Sequence, residues 1–143
     1  MANPVPRDWR RFSTCVSFGR PIRRETNVIH TSCHCGAVRL DVPHVPSALT
    51  DCNCTICRRY GTLWGYYSPK EVEIRGATEV YLRGEKSIEF HRCKVCGCVT
   101  HWAPVDKARD RMGVNCRMME PSARAGVRVR RLDGFETWKS LDE

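Results

Sequence analysis

The sequence CKVCG at residues 93–97 places two cysteines three positions apart and follows them with a glycine. A tight turn at this spacing brings both sulfurs to one metal ion, and glycine tolerates the backbone conformation that such a turn needs. This arrangement is typical of a zinc knuckle, in which one hairpin supplies two thiolates. It predicts a fold that is built around bound zinc.

Two further cysteine motifs lie upstream of the knuckle, CHCG at 33–36 and CNCTIC at 52–57. Residues two apart on an extended strand point to the same face, so each CxC pair presents two thiolates side by side. In the second motif, a helical turn beginning at Cys54 would keep the sulfur of Cys57 on the same side. One short segment would then supply three metal ligands.

The spacing of these cysteines allows two zinc sites. Zinc held by four cysteines is usually a closed structural site, whereas three protein ligands leave a position for water or substrate. The first site would take four sulfurs and the second three: Cys33, Cys35, Cys93 and Cys96; Cys52, Cys54 and Cys57. Other pairings remain open, and Cys98 is an alternative fourth ligand for the second site. Cys15 and Cys116 have no metal-like spacing, and we interpret Cys116 as a small buried side chain.

Short β-like runs recur between turn residues from residue 27 onward and predict the fold class. The chain should be mainly β, a single domain at 27–143 of several small antiparallel sheets around zinc, with little helix. The runs are VIHT, AVRLDV, LWGYY, VEI, EVYLR, SIEFH, VTHW and GVRVRRL. Helical turns are expected only in TICRRYG and in PVDKARDR. Residues 1–26 carry prolines and arginines without periodicity, and we interpret them as a basic N-terminal extension.

Composition indicates a globular, basic protein. Hydrophobic residues make up 41% and charged residues 28%, and no apolar run approaches the roughly 18 residues of a membrane span. The formal net charge is +8, and six arginines less Asp8 and Glu25 place +4 of it before residue 27. Without a continuous apolar run, the first 26 residues do not resemble a secretory signal. We therefore expect a cytoplasmic protein in which clustered cysteines bind metal rather than form disulfides.

The ordered motifs resemble the family of glutathione-dependent formaldehyde-activating enzymes, whose domain also occurs in centromere protein V. The resemblance runs through CHCGAVRL at 33–40, CNCTICRRYG at 52–61 and HRCKVCGCVTHW at 91–102, and continues in GVNCRM and VRRLDGFETW. It implies a β-tent-like fold, a structural zinc on Cys33, Cys35, Cys93 and Cys96, and a catalytic zinc on Cys52, Cys54 and Cys57. It also implies a carbon–sulfur lyase, or a synthase in reverse, that joins formaldehyde to glutathione as S-hydroxymethylglutathione.

Two hypotheses of different classes follow. In the first, a substrate thiol such as glutathione takes the vacant position on the second zinc and attacks an aldehyde, and Arg58 and Arg59 meet its carboxylates or form a solvated turn. Trp64, Tyr66 and Tyr67 would be core or the wall of its pocket. In the second, both zinc sites are saturated and the protein is a non-catalytic binding module for nucleic acid or protein. The first hypothesis includes no membrane and no nucleic-acid partner.

Overall fold

The computed structural model describes residues 27–142. The extension predicted at 1–26 lies outside the described residues. Within the described range the chain forms ten strands, one short helix and two 3-10 turns: β1 (Ile29–Ser32), β2 (Arg39–Val42), β3 (Leu49–Cys52), α1 (Cys57–Tyr60), β4 (Trp64–Tyr67), β5 (Glu73–Arg75), β6 (Thr78–Leu82), β7 (Ile88–Cys93), β8 (Val99–Pro104), β9 (Met112–Asn115), the turns Cys116–Met118 and Pro121–Arg124, and β10 (Val129–Leu132). None of the helices in residues 27–142 is long and apolar enough to cross a membrane.

The strands form two sheets. The smaller sheet has three antiparallel strands in the order β1, β2, β5. The larger has seven strands in the order β10, β3, β4, β9, β8, β7, β6, and every neighbouring pair is antiparallel except β10 with β3. This architecture confirms the prediction of a mainly β domain with little helix.

The main hydrophobic core joins the two sheets. Leu40 and Val42 on β2 pack in one cluster with Met112 and Val114 on β9, and all four side chains are at most 2% exposed. Burying each of these side chains stabilises the folded state by about 1.5–3 kcal/mol. Because alternate residues of a strand point to opposite faces, Gly113, which lies between Met112 and Val114 on β9, faces away from this core.

The other face of the seven-stranded sheet carries a row of aromatic side chains. Gly113 on β9 lies opposite Tyr66 on β4 and opposite Trp102 on β8. Trp102 in turn lies opposite Phe90 on β7. A Cβ atom on Gly113 would overlap the indole of Trp102, so the glycine lets that ring lie across β9, 6.2 Å from the ring of Tyr66. This aromatic row lies beside the second cysteine motif.

Three local features differ from the sequence expectations. β10 pairs with β3 in parallel, and the strands β3 and β9 were not among the predicted runs. The expectation of a helical turn in PVDKARDR is wrong, because β8 continues to Pro104 and turns and bends follow. Residues 105–111 are all exposed, so no buried face is available to stabilise a short helix there.

Candidate metal centres

Four cysteines meet where the turn after β1 approaches the turn after β7. The sulfurs of Cys33, Cys35, Cys93 and Cys96 all lie within 4.8 Å of one another. The Sγ atoms of Cys33 and Cys35 are 3.6 Å apart, and those of Cys35 and Cys93 are 3.7 Å apart. A tetrahedral zinc with Zn–S bonds of about 2.3 Å requires sulfur separations of about 3.8 Å. The geometry of this four-cysteine cluster therefore fits one zinc ion.

Backbone N–H groups surround the sulfurs of the four-cysteine cluster. The amide of Val38 donates to Cys33 Sγ at 3.3 Å, and that of Val95 donates to Cys93 Sγ at 3.4 Å. A hydrogen bond from the backbone N–H of Cys98 lowers the pKa of Cys96 to about 6. Donors of this kind stabilise thiolates, the form in which cysteine binds metal. Both turns carry a left-handed glycine after the second cysteine, with φ of 76° at Gly36 and 73° at Gly97.

The second group is the cysteine triad, Cys52, Cys54 and Cys57, whose sulfurs lie within 4.8 Å of one another. Cys52 ends β3, and Cys57 begins α1, which Gly61 terminates in the left-handed conformation. The backbone N–H of Cys57 donates to Cys54 Sγ at 3.5 Å. All three side chains are at most 6% exposed. The helical turn predicted after Cys54 is present and places the third sulfur beside the first two.

Polar donors from other strands also reach the triad. The indole Nε1 of Trp64 donates to Cys57 Sγ at 3.2 Å, and Nη1 of Arg83 donates to Cys54 Sγ at 3.5 Å. A hydrogen bond from the Cys57 thiol lowers the pKa of Cys52 to about 6, and the same interaction raises the pKa of Cys57. The site thus stabilises negative charge on sulfur. Three convergent, hydrogen-bonded thiols are a donor set that suits zinc.

Among residues 27–142, no further cysteine, histidine or carboxylate joins the triad. Cys98, the alternative fourth ligand, lies beside the four-cysteine cluster instead. Burial raises its pKa, as do its neighbours Cys96, Cys33 and Cys93. The described chain therefore offers three ligands at the second centre, one fewer than a tetrahedral zinc ion takes.

A cavity of about 290 Å³ opens over the triad; we call it the triad cavity. Its walls are mainly aromatic and aliphatic, and three arginines complete them: Trp64, Tyr66, Ile88, Phe90, Trp102, Leu132 and Trp138, with Arg83, Arg109 and Arg111. Of the three aromatic residues singled out in the sequence, Trp64 and Tyr66 line the cavity, whereas Tyr67 is part of the main core.

Arg58 and Arg59 do not line the triad cavity. Arg58 lies over the ring of Phe135 at 5.5 Å, and Arg59 donates to the carbonyl of Thr55 at 2.7 Å. Both are exposed, which favours the interpretation of this segment as a solvated basic turn. The arginines that do line the cavity come from segments distant in sequence, and no motif spacing indicated them.

The segment after β10 closes one side of the triad. A Cβ atom on Gly134 would overlap Cys52 Sγ, so the backbone there approaches the sulfur as closely as a glycine allows. Asp133 fastens the segment by accepting hydrogen bonds from Asn53 Nδ2 at 3.0 Å and Thr137 Oγ1 at 2.8 Å. These bonds lower the pKa of Asp133 to about 2, with that from Asn53 contributing most. Trp138, at a positive φ of 58°, lines the cavity from this segment.

The fold and the two cysteine clusters define a small β protein with two candidate metal centres. Residues 28–130 match the family model described as glutathione-dependent formaldehyde-activating enzyme. The chain belongs to this family.

One solved structure also resembles the chain over most of its length. It is the crystal structure of a Rhodobacter sphaeroides protein from a structural genomics programme, with a TM-score of 0.59 and 26% identity. The alignment covers 71% of this chain and 99% of that one. No curated protein matches the chain. The similarity to the Rhodobacter sphaeroides structure shows that this chain and that one share the fold.

Proposed function

We propose that the protein is a zinc-dependent carbon–sulfur lyase, or a synthase in reverse, that acts on the adduct of a thiol with an aldehyde. The family supports glutathione and formaldehyde as the substrate pair. The observation that carries the proposal is the triad, which offers three buried thiols and no fourth ligand among the described residues. The catalytic metal ligands are Cys52, Cys54 and Cys57, and the structural ligands are Cys33, Cys35, Cys93 and Cys96.

The residues around the triad suit this reaction. A zinc ion held by Cys52, Cys54 and Cys57 would supply Lewis-acid chemistry, which lowers the pKa of a bound thiol and polarises a carbonyl oxygen. Phe90 and Trp102 form an apolar wall that keeps water from the reacting sulfur. Arg83 places a guanidinium 3.5 Å from Cys54 Sγ, where it stabilises negative charge on a neighbouring sulfur or oxygen.

The chemistry balances without any further reagent. In the synthetic direction, the thiol sulfur forms a bond to the aldehyde carbon, the carbonyl π bond breaks, and the thiol proton ends on the resulting hydroxyl. In the lytic direction, the carbon–sulfur bond breaks and the same proton returns to sulfur. Holding both reactants in one cavity supplies the proximity that this bimolecular step needs.

Paired cysteine variants test the proposal. Cys54→Ser should lose the second metal and bring glutathione-dependent conversion of formaldehyde to the uncatalysed rate, measured by exchange NMR beside metal analysis. Cys98→Ser is the matched control, because Cys98 lies outside the triad, and it should retain both metals and activity. The proposal is wrong if Cys54→Ser lacks the second metal and still turns over at the wild-type rate.

The non-catalytic module remains the second candidate, because four arginines line a cavity next to the triad cavity. It requires a saturated second centre. The three-ligand triad favours the enzyme, and a fourth protein sulfur on the second ion would favour the module.

A further inference from the structure

A second cavity, of about 360 Å³, adjoins the triad cavity. The two share the side chains of Tyr66, Arg111 and Leu132, so they meet at these residues. We call the second one the arginine cavity; its remaining lining is Thr50, Arg128, Arg130, Arg131 and Ser140. A molecule with its sulfur at the triad can therefore extend past Leu132 into this cavity.

The arginine cavity has a strong positive charge. Four of its lining residues are arginines, and no carboxylate of residues 27–142 lines it. Arg131 is paired with Asp142, with Nε and Oδ1 2.8 Å apart. Arg111, Arg128 and Arg130 make no salt bridge with the described residues. Arg111 lies over the ring of Tyr66 at 4.0 Å. Guanidinium groups in such a setting bind carboxylate or phosphate oxygens, often through two parallel hydrogen bonds.

The register of β10 sets the distance between this charge and the triad. Leu132 lies opposite Cys52 on β3, and Arg130 lies opposite Thr50. Two residues along a strand correspond to about 6.6 Å. An oxyanion bound beyond Leu132 in the arginine cavity is thus separated from a sulfur at the triad by several covalent bonds.

We propose that the arginine cavity binds an oxyanion of the substrate thiol, so that the protein selects thiols with a carboxylate or phosphate several bonds from sulfur. This inference rests on the proposed function, because it needs the thiol to bind at the triad. It assigns Arg128 and Arg130 as specificity-determining residues. The wall that the arginine cavity shares with the triad cavity favours a small molecule that reaches from the triad over a nucleic acid, which would need a longer basic surface.

Thiol binding to the cobalt-substituted full chain tests the inference without any turnover. A thiolate that joins cobalt at the triad adds sulfur-to-metal charge-transfer absorption, which can be titrated. The matched probes are mercaptohexanol and mercaptohexanoate, which differ only at the end far from sulfur. Mercaptohexyl phosphate distinguishes a phosphate site from a carboxylate site. Thioglycolate carries its carboxylate too near the sulfur to reach Arg128 or Arg130.

We expect mercaptohexanoate or mercaptohexyl phosphate to bind about tenfold more tightly than mercaptohexanol, a ratio typical of one charge-assisted contact. Thioglycolate, whose carboxylate reaches only the triad cavity, should bind the double variant as tightly as the wild-type protein. The double variant Arg128→Gln, Arg130→Gln should bring the ratio close to one, and Arg130→Gln alone should lower it less. Arg75→Gln, on the three-stranded sheet, is the control and should keep the ratio.

Three results would overturn the inference. The first is equal affinity of the wild-type protein for the charged and neutral thiols, and the second is an unchanged ratio in the double variant. The third is a single-stranded oligonucleotide that binds through Arg128 and Arg130 while the charged thiols show no preference. If no thiol adds charge-transfer absorption, the triad has no open position and the proposed function itself is wrong. Binding without preference refutes the arginine cavity alone.

Discussion

Gly134 controls the space around the sulfur of Cys52. Because a Cβ atom there would overlap Cys52 Sγ and approach Cys54 Cβ to 3.1 Å, Gly134→Ala should displace the triad. Overpacking of this kind costs about 1–3 kcal/mol, enough to weaken the second metal site by about tenfold or more. The metal content measured after dialysis should fall from two ions per chain to one.

Gly126→Ala is the control for this change. Gly126 has a φ of 76°, and a Cβ atom added there would have nothing within 4 Å, so alanine strains the backbone without touching a ligand. It should keep both ions. Retention of two ions by Gly134→Ala would show that the glycine does not limit the triad.

His101 gives the fold an acid-sensitive group that belongs to neither cysteine cluster. Its ring is 3% exposed and stacks on His91 at 4.1 Å. Burial lowers its pKa from 6.5 to about 3, so the neutral form is the one that the fold holds. The unfolded chain binds a proton that the folded chain does not, and stability therefore falls as the pH drops from about 6.5 toward about 3.

His101→Gln should flatten this dependence. Between the two pKa values, the slope of unfolding free energy against pH should decrease by about 1.4 kcal/mol per pH unit, whatever the variant does to stability at neutral pH. Denaturant titrations of both proteins across this range measure the slope, and metal analysis at each pH checks that the two proteins hold the same metal content. Parallel curves would show that His101 does not remain neutral in the fold.

At the scale of single residues, the sequence predicted which cysteines lie close together. The CxC and CxxC spacings follow from local geometry, and the structure brings both predicted groups together. The cavity arginines could not be predicted, because Arg83, Arg109 and Arg111 meet only through the tertiary fold. Arg58 and Arg59 were singled out for their closeness in sequence, and that closeness does not place them in the cavity.

At the scale of elements, the segment after β10 is held in place mainly by Asp133. Its carboxylate accepts hydrogen bonds from Asn53, Thr137 and the backbone of Glu136. Asp133→Ala should remove these charge-assisted bonds and destabilise the protein by about 1–3 kcal/mol. Amide hydrogen exchange should rise at residues 134–138, and occupancy of the second metal should fall with it.

Asp142→Ala is the matched control, because it removes another carboxylate of the segment after β10. It removes the ion pair with Arg131 but leaves the hydrogen bonds of Asp133 intact. Exchange at 134–138 should then stay at the wild-type level. The same exchange increase in both variants would mean that Asp133 has no special part in holding this segment.

Most strands were predictable because alternating β-branched and aromatic residues are a local signal. β3 and β9 were missed because LTDC and MGVN lack that alternation: MGVN is buried at all four residues, and LTDC at every residue except Asp51. The parallel pairing of β10 with β3 depends on residues about 80 positions apart. No local pattern carries that information.

At the scale of the whole molecule, the four-cysteine cluster joins the two sheets. Cys33 and Cys35 follow β1 of the smaller sheet, whereas Cys93 ends β7 of the larger. Structural zinc binding is worth about 10–16 kcal/mol in zinc-finger peptides, as much as the whole stability of an ordinary domain. Cys93→Ser should therefore abolish cooperative thermal unfolding.

Cys57→Ser is the comparison, because it removes a ligand from the triad and leaves the four-cysteine cluster unchanged. It should lose one metal and still unfold in a single cooperative transition, followed by circular dichroism. A Cys93→Ser protein that folds normally would contradict the structural role of the first cluster.

The central claim is that the second centre holds a metal with three protein thiolates and one open position. Anomalous diffraction at the zinc edge, from crystals with and without soaked glutathione, tests it most directly. We predict two zinc ions, the second bound by Cys52, Cys54 and Cys57 with a water that the glutathione sulfur replaces. A single zinc ion, or a second ion with a fourth sulfur from the protein, would contradict the account.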